Sequence, residues 1–501
     1  MQQRRTAPRG STRLIAVSAL ALAAGCASLQ DPMRANLSDA NEAVMQCAAW
    51  YREMDQRIDR AGVRDGGEYR IPGFPYLRAD RFNASFGTQA LASDKLFGAW
   101  TDRLINLETV ARKAELRNLP TDALEGLGAD RAHVSERTQA CAHTLADHDF
   151  AVPERRRLLA ERAKVPDDYV TWHRAVGLYA VTRVPFWHGV DNWQKDAAET
   201  MRRTKEGMRD PGTLSRYAPA GAARIKTAKA ILAGAPRDPL GVPQLSAQQA
   251  ETLFAAFAPV IEVDTSGDYD RLGALVWGDG PVPRVDATEP VVYRKLAFTR
   301  NGDETLVQLV YVAWFSERPH AKSLDLLAGR LDGIFWRVTL SARGEPIVYD
   351  TIHPCGCYHM FLPVQGVEPL PAPESKMEWA FVPDQAPRIP EGERLVLRLA
   401  TRTHYLVSVA VDSGDADLTY GFADYDEMRS MPSGSGNRRS AFRPDALMEG
   451  TERGERVFFW PMGVPSAGAM RQWGHHATAF VGRRHFDDVD LIEQRFRLQP
   501  P

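Results

Sequence analysis

Residues 333–359 read GIFWRVTLSARGEPIVYDTIHPCGCYH, and the fold class turns on this stretch. Gly333 to Leu340 and Pro346 to Ile352 are short runs rich in β-branched and aromatic residues, the side chains that pack best on a pleated surface. Ser341 to Glu345 between them is polar and carries Gly344, so the two runs predict a hairpin.

Similar runs recur on both sides, at Pro290 to Phe298, Glu304 to Phe315, Arg394 to Thr401, His404 to Val411 and Arg456 to Trp460, separated by Gly, Asn, Asp and Pro. Repeated strands without long intervening helices predict an antiparallel sandwich or barrel-like body. The first half has a different period. Val44, Cys47, Ala48, Tyr51, Met54 and Ile58 recur at helical spacing in a helix starting near Ser38. Leu96, Trp100, Leu104, Leu107 and Ala111 mark a second helix, and Val134, Thr138, Cys141 and Leu145 a third. Two more stretches, Pro153 to Ala163 and Tyr169 to Thr182, also read as helical. The fold class is therefore α+β, an N-terminal helical domain followed by a larger antiparallel β-rich domain. The expected boundaries are 38–209 for the helical domain, 210–245 for a Pro/Gly/Ala-rich linker and 246–501 for the β-rich domain.

The second strand of the hairpin runs directly into His353, Pro354, Cys355, Gly356, Cys357, Tyr358 and His359. In an extended strand alternate side chains share a face, which puts two imidazoles and two thiols on one side. Thiolate is soft and imidazole borderline, a donor set that suits Zn or Cu, with His404 as a further candidate ligand. A straight strand rises about 3.3 Å per residue, so only two or three of these neighbours can reach one ion unless Pro354 and Gly356 curl the segment. Two other readings stand beside the metal one. Cys355 and Cys357 form a thiol redox pair, or one of them is a nucleophile activated by a histidine. In the plain structural alternative the segment only stiffens a loop and the cysteines are structural.

The N-terminus carries its own signal. Arg4, Arg5, Arg9 and Arg13 precede an apolar run from Leu14 to Ala24, which is too short to span about 30 Å of hydrocarbon and ends in small residues. The sequence Leu22, Ala23, Ala24, Gly25, Cys26 resembles the lipobox of bacterial lipoproteins. That resemblance implies a signal peptide over 1–25, lipidation of Cys26, a tether over 26–37 and a body in the periplasm anchored to the outer membrane. In this register Ala23 stands where the lipobox usually has leucine. With Cys26 lipidated, four cysteines remain, an even set suited to an oxidising compartment. Cys47 and Cys141 both fall on buried helical faces and are the expected disulfide.

The formal net charge of -2 argues against nucleic acid as a partner. HExxH, Walker and GxSxG signatures are absent from the sequence. Asp264, Asp268 and Asp270 lack EF-hand spacing and read as a solvated acidic turn. Arg471, Gln472, His475, His476, Arg483, Arg484, His485, Asp487 and Asp488 form a dense ionisable group near the C-terminus that has the makings of a second site. The aromatic run from Pro185 to Trp193 is expected to pack into the fold rather than lie on lipid. Two function classes follow: a metal-binding or thiol-active envelope lipoprotein, and a non-catalytic envelope scaffold acting through protein partners.

Overall fold

The computed structural model describes residues 37–498 apart from 38, 128–129, 209–211, 222, 279, 324, 375–376, 413–415 and 435. The signal peptide, Cys26 and Ser38 lie outside the described residues. Three helices, α1 (Glu42–Ala61), α2 (Asp94–Asn118) and α3 (Arg131–Phe150), open the chain. Asn41, Ser93 and Asp130 cap them by accepting backbone N–H groups that would otherwise lack partners. Cys47 on α1 and Cys141 on α3 are disulfide-bonded, with Cα atoms 5.0 Å apart. Beside the bridge, Trp50 Nε1 donates to Thr138 Oγ1 and Tyr51 Oη donates to the Thr138 carbonyl, so the two helix faces are registered by polar bonds as well. The loop bearing Ile71, Phe74 and Tyr76 folds back onto this core, where all three are buried.

The helix expected over Tyr169 to Thr182 is two helices, α4 (Thr171–Val176) and the long α5 (Tyr179–Lys205). Leu178 breaks them with φ of +50°. Gly177 beside it lies so close to Pro461 that a Cβ would come within 2.6 Å of that ring, and the chain turns there instead of continuing.

The stretch read as a linker is part of the fold, which corrects that expectation. It supplies β1 (Thr213–Pro219) and α6 (Ile225–Gly234). Strand β1 joins β2 (Val260–Thr265), β3 (Val291–Asn301), β4 (Glu304–Arg318), β5 (Gly329–Leu340), β6 (Pro346–Ile352), β7 (Met360–Pro363), β8 (Arg394–Leu399), β9 (Leu406–Asp412) and β10 (Leu418–Asp424) in one sheet. The order across it is β7-β6-β5-β4-β3-β10-β1-β2-β8-β9, curled into a half-barrel. Most neighbours are antiparallel, but β10 runs parallel to both β3 and β1, and β8 parallel to β2, so the sheet is mixed. The predicted hairpin is present as β5 and β6.

Both faces of the sheet are covered. Along β4, Leu309, Tyr311, Ala313 and Phe315 pack under α7 (Ala247–Phe257) and α6, while Val310, Val312 and Trp314 face the C-terminal segments. Burial on both sides is why this strand reads as an almost unbroken apolar run instead of an alternating one. Arg456 to Trp460, expected as a strand, is instead a helical turn (Arg456–Phe459) entering a 3-10 turn. Its apolar side chains sit at the surface and at a cavity rim, so the run has no sheet to join.

Candidate functional site

Strand β6 ends at Ile352, and the residues after it reverse direction rather than extend. The His353 N–H donates to the Cys357 carbonyl at 3.0 Å and the Gly356 N–H to the His353 carbonyl at 2.8 Å, closing a turn that delivers the chain to β7. Gly356 has φ of +93° and Tyr358 φ of +63°. A Cβ on Gly356 would lie 2.6 Å from the Ala477 carbonyl oxygen, so only glycine fits.

This geometry separates the residues read as metal ligands. His353 and His404 converge, but on a carboxylate: their Nδ1 atoms lie 3.2 and 2.9 Å from the two oxygens of Asp332. On its other side, His404 Nε2 stands 3.4 Å from Asp270 Oδ1, an ion-pair distance, and the ring stacks on Phe315. His359 turns away and donates from Nε2 to Asp350 at 2.9 Å, a carboxylate shared with Arg337. Among the described residues no three His, Cys, Asp or Glu side chains are placed to hold one metal ion. The alternation expected of an extended strand fails because the turn sends each imidazole to its own acid.

Charges settle accordingly. Burial alone would raise the Asp332 carboxyl, but the nearby charges and hydrogen bonds of His353, Arg453 and His404 outweigh it and hold it well below the ordinary range. Burial opposes a charge on His404 too, yet the carboxylates of Asp270 and Asp332 on either side of the ring raise its pKa. His353 is depressed by burial, and His359, buried more completely than its single acid can offset, falls to about 3. His353 Nε2 and His359 Nδ1 find no hydrogen-bond partner among the described residues. Leu331, Tyr358, Arg402 and His404, all with positive φ, border this network. Strained backbone of this kind persists only where surrounding structure imposes it, and it gathers at functional sites.

Cys355 and Cys357 are buried free thiols on either side of Gly356 whose ionisations are linked. The neighbouring Cys357 thiol lowers the Cys355 pKa, while the proximity of Cys355 and burial raise Cys357. Neither sulfur bonds His353 Nε2 or His359 Nδ1, so a thiol–imidazole pair of the nucleophilic kind is not assembled.

A cavity of about 450 Å³ lies over this turn. Helix α5 roofs it with Phe186, Val190 and Trp193, and Phe459 and Phe480 close it from the C-terminal side. Tyr358 and Tyr405 lie against it, their rings 4.5 Å apart, and Trp193 rests on Tyr358 at 5.1 Å. A few polar groups also line it. Glu378 accepts the N–H groups of Phe480 and Val481 and pairs with Arg484, and burial raises its carboxyl. Burial likewise raises Glu455. The aromatic run at Pro185 to Trp193 thus packs inward in part, with Trp187 Nε1 donating to the Met377 carbonyl.

Arg483, Arg484 and Asp488 of the C-terminal ionisable group line a small polar cavity with Asp490 and Arg495. The group ties the helical region to the C-terminal segment: Arg81 pairs with Asp168 and Asp487, and His475 and His485 both reach Asp168. Although burial opposes its charge, hydrogen bonds to Asp168 and Asp488 push His485 up to about 9. Asp270 is fully buried rather than solvated, Asp264 pairs with Arg398, and only Asp268 is exposed. The missed elements of the site are the acids. Asp350 stands inside the second run that predicts the hairpin and Asp332 immediately precedes the first, and a carboxylate beside or within an apolar run is the available signal.

Compared with protein-family models, curated proteins and solved structures, the chain finds no match.

Proposed function

We propose that this chain is a cell-envelope lipoprotein, anchored through Cys26, whose body binds an amphipathic, acyl-bearing ligand in the cavity beneath α5. The observation that supports it is the cavity itself. Its size falls within the range of small-molecule sites, and its walls are predominantly aromatic and aliphatic with a few polar groups among them. The apolar body of the ligand lies between Trp193, Val190 and Phe459, and its polar head meets Arg484 and Tyr358. The buried Asp332 and Asp350 networks serve as the rigid floor that holds Tyr358 and Tyr405 in place.

The test is binding of a fluorescent long-chain fatty acid, read by energy transfer from tryptophan. Val190→Trp fills the cavity and should abolish saturable binding with the fold unchanged by circular dichroism. Equal binding by that variant, or none by the parent, rejects the reading. The anchor is tested separately: Cys26→Ala should remove diacylglycerol labelling of the exported protein.

A further inference from the structure

Seven of the twelve large apolar side chains exposed among the described residues belong to two short segments packed against each other. Trp172, Val176, Leu178, Val181 and Val184 come from α4, the corner after it and the start of α5, and Val457 and Phe458 come from the turn at Arg456–Phe459. Their exposures run from 43% for Val184 to 71% for Val457. Such a concentration is not the scatter of single apolar residues normal on a soluble surface.

The patch is built on a fixed base. Arg174 donates from Nε to the Met462 carbonyl at 2.8 Å and from Nη2 to the Gly482 carbonyl, and the Val170 N–H donates to the Gly463 carbonyl. Trp172 meets Trp460 edge-on at 5.9 Å. Leu178 holds a backbone conformation unfavourable for its size, and that conformation leaves its side chain in solvent.

Its charge has one sign. Thr171 to Val190 contains no Asp or Glu, nor does Arg456 to Gly463, while Arg183 and Arg456 are exposed among the apolar side chains. The patch also runs into the cavity: Val184 leads to Phe186 and Phe458 to Phe459, whose rings stand 5.3 Å apart at its rim.

We infer that this face docks on an anionic phospholipid bilayer, sinking Trp172, Leu178, Val181 and Phe458 below the headgroups, with Arg183 and Arg456 at phosphate level and the cavity mouth opening toward the lipid. Aromatic and aliphatic side chains beside arginine are the composition that binds membrane interfaces, and anionic headgroups supply the complementary charge. The inference rests on the cavity reading for what enters the mouth, but the docking itself does not depend on it.

The experiment uses the whole mature chain from Ala27 to Pro501 without its acyl group, so that the anchor cannot mask the contact. Cosedimentation is measured with vesicles of phosphatidylglycerol and phosphatidylethanolamine, and with phosphatidylcholine alone. Expected are binding to the anionic vesicles, weakening with salt, at least a tenfold loss in Val181→Asp/Phe458→Asp, and a smaller loss in Arg183→Glu. Both variants change exposed residues and should keep the parent's melting temperature and fatty-acid binding in solution. Equal sedimentation of parent and double variant, or no binding by the parent, overturns the inference. A parent dimer in ultracentrifugation that the double variant abolishes, without vesicle binding, assigns the face to a second copy and overturns it equally. Vesicle binding by a parent that takes up no fatty acid leaves the docking standing and removes the cavity reading.

Discussion

Nδ1 of His404 lies 2.9 Å from Oδ2 of Asp332, with both side chains fully buried. Removing the carboxylate charge leaves the His404 imidazole with Asp270 alone and the Arg453 guanidinium, 3.3 Å from the same acid, without this counter-ion. Asp332→Asn should therefore lower the unfolding free energy by ~3–5 kcal/mol, the cost of an uncompensated buried charge. Urea denaturation measures it, and Asp332→Asn/His404→Gln should recover part of the loss because the two sites share one interaction. Additive losses in the double variant would show that the pair is not coupled.

Gly356→Ala should cost ~1–3 kcal/mol, because a side chain at φ of +93° is strained and the new methyl meets the Ala477 carbonyl. A thermal melt superimposable on that of the parent would be incompatible with the turn as described.

Reading the sequence reached the fold class, the hairpin, the disulfide and the three opening helices, because each is written in local periodicity. It failed where distant segments decide. Thr213–Pro219 looks like part of a Pro/Gly/Ala-rich linker and becomes a strand only because β2 and β10 flank it. The apolar run at Arg456 to Trp460 has the composition of a strand but borders a cavity. Alternation along a strand predicts that the histidines share a face, but Pro354 and Gly356 turn the chain and send His353 and His359 to different acids. The acids that bind them were overlooked because single aspartates in strands carry no motif.

Stability should fall on both sides of a maximum near ~pH 6–7. On the acid side, His359 and His476 are buried and held neutral, each with a pKa of about 3. The unfolded chain takes up those protons below ~6.5, so stability is lost as pH falls from there toward 3. His485, raised to about 9, has the opposite sign. Its contribution is complete below ~6.5 and disappears as pH rises through 9, by at most ~3 kcal/mol. Urea midpoints measured across this range should show both limbs, and His485→Gln should flatten the alkaline one alone. An alkaline limb unchanged in that variant refutes the assignment.

Replacing both Cys47 and Cys141 by serine should lower stability by ~4 kcal/mol, since the bridge closes a long loop in the unfolded chain. Reduction of the parent with dithiothreitol should reproduce the shift in urea midpoint, and in the double variant should produce none.

The order of the large sheet has a consequence for biogenesis. Strand β10 is the last of the ten in sequence, yet it occupies an interior position with β3 on one side and β1 on the other. Until Leu418–Asp424 has been synthesised, β3 and β1 both present open edges, the kind of unpaired backbone that recruits other chains into aggregates. The barrel half therefore cannot assemble progressively from its N-terminal end, and its completion waits on nearly the whole polypeptide. A nascent or truncated chain lacking that one strand is two half-sheets with adhesive margins, which places a premium on keeping the unfinished protein sheltered.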